Sequence, residues 1–208
     1  LAPFLIVALC FFSFLCIGLI NMGRDDFFLA INALHFDFLD PIMMFFTHFG
    51  DGIGAISLIF IILLFVNKRI GMILGFASLA NSVITQLLKR TVFNDVRRPA
   101  GHFDNNLLHK VDWVDFHSSF SFPSGHTSAA FCLYFFMAAL FVKNKTWQIS
   151  MALVACIISY SRMYVSNHFP TDLLAGGVLG LSIAIVTLGL FEHFNWGKNW
   201  TEKGILIK

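Results

Sequence analysis

The chain has 208 residues, of which 57% are hydrophobic and only 12% are charged, and 26 are phenylalanine. Soluble globular proteins contain about 25% charged residues, so this composition excludes a water-soluble exterior and indicates an integral membrane protein. A net charge of +2 excludes a nucleic-acid module with a strongly basic face. The four cysteines lie far apart in apolar runs, which favours reduced core residues over a disulfide scaffold.

Six apolar stretches approach the roughly 20 residues that a membrane-spanning helix needs. They are residues 2–20, 43–66, 70–88, 127–142, 147–165 and 173–191. The first lacks a basic leading segment and a small-residue cleavage site, so we interpret it as a span and not as a signal peptide. Thr47, His48 and Asp51 interrupt the second.

Residues 25–41, between the first two stretches, mix aromatic and acidic side chains. This mixture predicts a short helix lying in the membrane interface. No internal repeat or linker divides the chain. The predicted fold class is therefore all-α: a polytopic membrane bundle of about six transmembrane helices and one interfacial helix, with residues 1–208 forming a single domain.

Six spans place both termini on one side of the membrane, and Lys and Arg then divide seven to each side. The short loops at 67–69 and 143–145 carry only positive charge, the situation in which the positive-inside rule is most informative. We therefore predict these loops to be cytoplasmic. In a bacterial inner membrane, residues 89–126 and 162–171 would then face the periplasm or the outside.

Three polar segments lie on that outer side, each near the end of a predicted span: residues 89–99, 122–127 and 161–172. A helical bundle brings these ends together. Lys and Arg side chains, and backbone N–H groups at a helix N-terminus, all bind oxyanions. The sequence therefore predicts one pocket for an oxyanion, and the oxyanion that we expect there is phosphate.

Two of these segments carry a resemblance to a known family. Pro123-Ser124-Gly125-His126 and Ser161-Arg162-x5-His168-x3-Asp172 resemble the second and third signature motifs of the type 2 phosphatidic acid phosphatase superfamily. In the first motif of that family, six residues separate a Lys from Arg-Pro, whereas Lys89 stands nine residues before Arg98. Arg90 and Arg97 therefore stay open as alternative basic residues.

The resemblance implies a membrane lipid phosphatase that works through a phosphohistidine. It implies that His168 is the nucleophile, that Asp172 is its partner, and that His126 protonates the leaving oxygen. The residues that it implies for phosphate binding are Lys89, Arg98, Ser124, Gly125 and Arg162. The other six histidines, His35, His48, His102, His109, His117 and His193, are interpreted as surface or core residues.

No metal and no other cofactor is predicted. A catalytic zinc site usually has three protein ligands and an open position, whereas here four or five cationic side chains would repel a divalent ion and can themselves neutralise phosphate. The expected substrate is a lipid phosphate monoester or pyrophosphate, with the loop at 101–120 selecting the lipid. Membrane lipids are the other expected partners, nucleic acid is not, and the oligomeric state is open.

Two alternatives remain at this point. A phosphotransferase of the same fold would pass the phosphoryl group from His168 to another lipid. An anion-binding membrane transporter would line a path with Arg and His, but the centres of these spans are almost free of charge, which favours the enzyme.

Overall fold

The computed structural model describes residues 1–111, 114, 117–197 and 203–206, and the regular structure in these ranges is helical. The α-helices are α1 (Ala2–Asn32), α2 (Asp40–His48), α3 (Gly52–Ile61), α4 (Lys68–Leu87), α5 (Pro99–His102), α6 (Gly125–Leu140), α7 (Lys145–Tyr164) and α8 (Pro170–His193). Wider π-helical turns extend α3 through Ile62–Val66 and α4 through Leu88–Val92, and a 3-10 turn covers Asn105–Leu107. The all-α prediction is confirmed.

The predicted interfacial helix at 25–41 has different limits in the structure. Residues 24–32 are helical, but they continue α1 after a break at Gly23, whose φ of 77° lies in the left-handed region that glycine favours. The chain leaves the helix after Asn32 and begins α2 only at Asp40, with Pro41 in its first turn. Proline at that position ends the irregular segment because its fixed φ suits a helix start.

The second predicted span, at 43–66, is two helices and not one. α2 and α3 meet at a bend of 57°, and Asp51 at the bend has extended backbone angles (φ −76°, ψ 154°). The bend falls on the polar interruption visible in the sequence. We call residues 47–51 the bend segment, and it places Thr47 and Asp51 at the same end of the bundle as the phosphate-binding motifs.

Three described helices are long and apolar enough to cross a membrane: Ala2–Asn32, Lys68–Val92 and Pro170–His193, with the bent pair as a fourth. α6 has 16 residues, about 24 Å at 1.5 Å per residue, and α7 carries several polar side chains along its length. Length and composition therefore support four spans, and the count of six stays a prediction.

Helix α6 is the central helix of the bundle, and it packs against α4, α7 and α8. Its closest approach is to α8, where Gly176 and Gly180 lie directly on the backbone of Ser124 and Ser128. A side chain at either glycine would collide with a backbone carbonyl. Small residues four apart permit such close helix contact, and this contact brings the start of α6 against the start of α8.

The segment at 93–121 connects α4 to α6 across the same end of the bundle. Its two ends are held together: Arg98 N–H donates to the Ser118 carbonyl at 3.0 Å, and Ser121 N–H donates to the Val96 carbonyl at 3.0 Å. These bonds keep Arg98 and Ser121 next to the first turns of α6 and α8.

Candidate active site

His168 and Asp172 form the centre of the site. The Nδ1 atom of His168 lies 3.2 Å from Oδ2 of Asp172, and both side chains are 1% exposed. The same Oδ2 accepts hydrogen bonds from Phe169 N–H at 3.0 Å and from the Ser121 hydroxyl at 2.5 Å. A carboxylate held by three partners has one fixed position, so it orients the imidazole and leaves Nε2 of His168 for chemistry.

The start of α8 explains this geometry. Pro170 occupies the first turn, and the Asp172 carboxylate receives the N–H of Phe169, the residue that precedes the helix. Acidic residues are stabilised near a helix N-terminus by the unpaired N–H groups and by the helix dipole. His168 lies four residues before Asp172, outside the helix, and the turn from 166 to 169 folds its ring back over the carboxylate.

Burial lowers the pKa of His168 well below its usual value, and the positive charges of Arg98, Lys89 and Arg162 lower it further. The imidazole is therefore neutral at pH 7. A neutral imidazole is the form that has a lone pair for nucleophilic attack.

Three cationic side chains face this imidazole. Lys89 is 6% exposed, and its Nζ donates to the Phe120 carbonyl at 2.9 Å. Arg98 donates through Nε to the Ser119 carbonyl at 3.0 Å and through a terminal nitrogen to Oδ1 of Asn167 at 3.3 Å. These cations come from α4 and from the segment at 93–121, so two separate parts of the chain contribute positive charge to one pocket.

Arg162 is the third cation and is 5% exposed. One terminal nitrogen donates to the Thr47 hydroxyl at 2.5 Å. Its Nε is buried and has no hydrogen-bond partner in the described part of the chain. A buried guanidinium N–H without a partner is costly, and a phosphate oxygen would satisfy it.

The structure distinguishes among the four basic residues of the first motif. Lys89 and Arg98 donate to the neighbouring carbonyls of Phe120 and Ser119, next to Ser121. Arg90 and Arg97 are exposed. The π-helical turn at Leu88–Val92 and the irregular segment after it take up the two extra residues. The longer spacing therefore still brings a Lys and an Arg to the same pocket.

Ser124 and Gly125 begin α6. The Ser124 hydroxyl accepts from Thr127 N–H at 3.3 Å and from the Thr127 hydroxyl at 3.0 Å, which caps the helix. Ser124 is one of the residues predicted to bind phosphate, but its N–H donates to the Asp172 carbonyl at 2.9 Å. An oxyanion at this helix start would therefore meet the N–H groups of Gly125 and His126, since the Thr127 N–H donates to Ser124.

His126 contacts a residue that the sequence analysis missed. Its Nε2 lies 2.8 Å from Oδ1 of Asp51, and Oδ2 of Asp51 lies 3.4 Å from Nδ1 of His48. Asp51 and Thr47 both belong to the bend segment. Their signal was in the sequence: polar residues that interrupt an apolar run are usually functional. Ser121, also missed, precedes the second motif by two residues.

A cavity of about 500 Å³ opens beside His126 between α3 and α4. Its inner end contains Asp51 and Gly125, and its walls are mostly apolar or small side chains. Ile56 and Leu79 line it and are 56% and 64% exposed, so its outer edge faces the surroundings of the bundle. The cavity therefore joins the polar site to an apolar exterior surface.

The chain is similar to known proteins in sequence and in fold. The sequence profile of the PAP2 superfamily matches residues 70–196. Phosphatidylglycerophosphatase B of Bacillus subtilis (strain 168) is 36% identical over 108 residues, which are 42% of this chain and 53% of that protein. The chain thus spans about half the length of that curated relative.

Two further likenesses cover more of the molecule. Undecaprenyl-diphosphatase BcrC of Bacillus subtilis (strain 168) is 29% identical over 177 residues, which are 82% of this chain and 83% of that protein. The crystal structure of Aquifex aeolicus LpxE matches with a TM-score of 0.70 and 26% identity, covering 80% of this chain and 94% of that chain. Because the profile matches more than half of its residues, a range that includes all three polar segments, the chain belongs to the PAP2 superfamily.

Proposed function

We propose that this integral membrane protein is a lipid phosphatase, which transfers the phosphoryl group of a lipid phosphate to His168 and then to water. The observation that carries the proposal is the Asp172–His168 pair at 3.2 Å, buried against Lys89, Arg98 and Arg162. A neutral, oriented imidazole beside three cations provides a nucleophile and the charge that stabilises a phosphoryl transition state.

The first step forms a bond from Nε2 of His168 to phosphorus and breaks the bond from phosphorus to the lipid oxygen. The Asp172 carboxylate stabilises the positive charge that the imidazole acquires. His126 gives a proton to the leaving oxygen, because an alkoxide is a poor leaving group. The orphaned Nε of Arg162, with Lys89 and Arg98, binds the phosphoryl oxygens.

In the second step, water attacks phosphorus and the bond to Nε2 of His168 breaks. His126, now neutral, accepts the proton of the attacking water, so that inorganic phosphate leaves and the enzyme returns to its starting protonation state. No step requires a metal ion, because the cations of the site neutralise the phosphoryl charge. A phosphotransferase would differ only in the acceptor of this second step.

The cavity beside His126 supports a lipid as the substrate. Its apolar walls and its outer edge at Ile56 and Leu79 suit a hydrocarbon tail that stays outside the polar site while the phosphate meets His168. Two of the similar proteins are named for a phosphatidylglycerophosphate and an undecaprenyl diphosphate activity. Both chemistries, a monoester and a diphosphate on a lipid anchor, fit this site.

The sequence predicts that the loop at 101–120 selects the lipid, through Asp104, His109, Lys110, Asp112 and Asp115. Asp112 and Asp115 lie outside the described residues. His109 Nε2 lies 2.9 Å from Oδ1 of Asp40, so this side chain anchors the loop to the start of α2. Selection of the lipid by the rest of the loop stays a prediction.

The test of the function is phosphate release by the full chain in detergent micelles. The panel contains phosphatidic acid, phosphatidylglycerophosphate, a prenyl monophosphate, a prenyl diphosphate, a phosphorylated lipid A and a short-chain soluble analogue. We expect release from at least one lipid, at a higher kcat/KM than from the soluble analogue, in the presence of chelator and with inhibition by vanadate. Equal turnover of the soluble analogue and every lipid would overturn the lipid assignment.

We further propose that residues 1–208 act as one domain in the cytoplasmic membrane, with the site on the outer face. Single cysteines replacing Lys143 and Leu107, in a chain without its native cysteines, test the orientation by labelling in intact cells. Both positions are exposed in the structure. We expect an impermeant reagent to label only the variant at Leu107, and labelling of both positions from outside would contradict the map.

A further inference from the structure

The contact between Asp51 and His126 has no role in the steps above. Asp51 stands at the bend between α2 and α3, and its Oδ1 lies 2.8 Å from Nε2 of His126. The bend is seated firmly against the helices that carry the site, because a side chain at Gly50 would meet Cγ2 of Ile158 at 2.7 Å and the carbonyl of His126 at 3.4 Å. Packing at Gly50 therefore holds the backbone next to Asp51 in place, and the Asp51 side chain itself is 45% exposed.

The surroundings of His126 are otherwise unfavourable for a general acid. Burial lowers the pKa of His126 to about 4, and the positive charges of Arg162 from α7 and Arg98 from the segment at 93–121 also lower it, whereas Asp51 raises it. The neighbouring His168, from the loop before α8, is neutral. A general acid has to carry its proton when the substrate binds. Asp51 is the group that contributes negative charge at hydrogen-bonding distance from this ring.

We propose that Asp51 is the positioning residue of the acid, so that the site contains two Asp–His pairs with separate tasks. This inference rests on the proposed function. Asp172 orients the nucleophile His168, and Asp51 holds His126 through Nε2 and favours its protonated form. The proton that passes to the leaving oxygen is then the one on Nδ1 of His126: the Nδ1–H bond breaks as the new O–H bond forms.

A second consequence concerns the broken span. A continuous helix through residues 43–66 would have no extended residue at position 51, where the backbone now turns the carboxylate toward α6. Thr47 from the same segment contacts Arg162. The bend segment therefore contributes Asp51 to the acid His126 and Thr47 to the cation Arg162. In this proposal, the polar interruption of the apolar run supports both catalytic groups.

The experiment compares Asp51→Asn with wild type on two substrates that share one tail, a prenyl monophosphate and a prenyl diphosphate. The monophosphate expels an alkoxide, which needs the proton, whereas the diphosphate expels a phosphate, which needs it far less. We expect kcat on the monophosphate to fall about 100-fold and kcat on the diphosphate to fall less than about 5-fold. Asp51→Glu should restore part of the lost rate.

The pH profile gives a readout that a purely structural role would not move. In Asp51→Asn, the alkaline limb of kcat should move to lower pH, because the amide no longer favours the protonated imidazole. The matched control is Glu192→Gln, since Glu192 pairs with Arg69 at 2.8 Å and is 48% exposed, close to the 45% of Asp51, but lies at the other end of α8 from His168. This control should keep the wild-type rates and profile.

The outcomes separate the two proposals. Suppose that wild type releases phosphate, that Asp51→Asn loses the same factor in kcat on both substrates, and that its pH profile is unchanged. That result overturns the role of Asp51 and leaves the proposed function intact. Wild type that releases no phosphate from any lipid overturns both. The double variant Asp51→Asn/His126→Ala should be no slower than His126→Ala alone, and multiplicative losses would contradict a shared task.

Discussion

Replacement of Ser121 by alanine tests the support of the nucleophile. The Ser121 hydroxyl donates to Oδ2 of Asp172 at 2.5 Å, with both residues almost fully buried. Hydrogen bonds to charged groups contribute about 1.5–3 kcal/mol, and each 1.4 kcal/mol is a factor of ten. Phe169 N–H and His168 remain bound to the carboxylate, so Ser121→Ala should lower kcat about 10- to 100-fold without abolishing it.

The assay for this variant is single-turnover formation of the phosphoenzyme, followed by steady-state phosphate release. Formation of the phosphoenzyme should slow by the same factor as kcat. The Ser121 hydroxyl holds the Asp172 carboxylate, and that carboxylate orients the nucleophile His168. Ser159→Ala is the matched control, because Ser159 is equally buried but its hydroxyl donates to the Ala155 carbonyl of its own helix. An unchanged rate in Ser121→Ala, or an equal loss in both variants, would refute the reasoning.

Three further predictions follow from the geometry. Arg98→Ala should lower kcat/KM at least 10-fold, whereas Arg97→Ala, which removes an exposed side chain, should change it less than about 2-fold. Gly180→Ala should lower the free energy of unfolding by about 1–3 kcal/mol, because the added methyl meets the Ser128 carbonyl. The pKa of His168 is lowered in the folded state, so the unfolded chain binds more protons below pH 6.5 and stability should fall with pH there, by up to about 1.4 kcal/mol per unit.

Each of these predictions has its own measurement. The values of kcat/KM for Arg98→Ala and Arg97→Ala are compared on the best lipid substrate. An equal loss in both variants would contradict the assignment of Arg98 as the phosphate-binding arginine of the first motif. Denaturant unfolding compares Gly180→Ala with Gly189→Ala, where the added methyl has open space around it and should cost much less. Thermal unfolding from pH 7.5 to 5.0 should show a steeper decline in wild type than in His168→Gln, and parallel curves would contradict the neutral, buried imidazole.

The sequence predicted those parts of the site that depend on short spacing. His168 lies four positions before Asp172 in the chain, and Pro170 marks the start of a helix between them, so their contact follows from local geometry. Pro123 to His126 likewise predicted a helix start, which the structure has at Gly125. These are contacts within one turn, which a linear pattern contains.

Contacts between distant parts of the chain were beyond such a pattern. Ser121 reaches Asp172 across 51 residues, and Thr47 reaches Arg162 across 115. The close packing of α6 on α8 decides the first contact, and the bend between α2 and α3 decides the second. Hydropathy measures the length of an apolar run, so it predicted a single interrupted span at 43–66. It contains no information on the direction in which the chain turns at a polar interruption.

Lys89 and Arg98 lie between these two cases. Their residue types were predictive, but the family spacing was not met, and the π-helical turn at Leu88–Val92 that accommodates the difference has no simple sequence signal. Helix limits were predicted to within a few residues for α4, α6, α7 and α8. The least accurate helix limits were those around Gly23, where the positive φ of one glycine breaks α1 and the helix then continues to Asn32.

The central claim is that the phosphoryl group passes through His168, and trapping the phosphoenzyme tests it most directly. Wild-type protein is mixed with a radiolabelled lipid phosphate, quenched in alkali within one turnover, and mapped by mass spectrometry. We predict an acid-labile, alkali-stable phosphate on His168, absent from His168→Ala and longer-lived in His126→Ala. Phosphate on another residue, or the same labelled protein in His168→Ala, would contradict the mechanism.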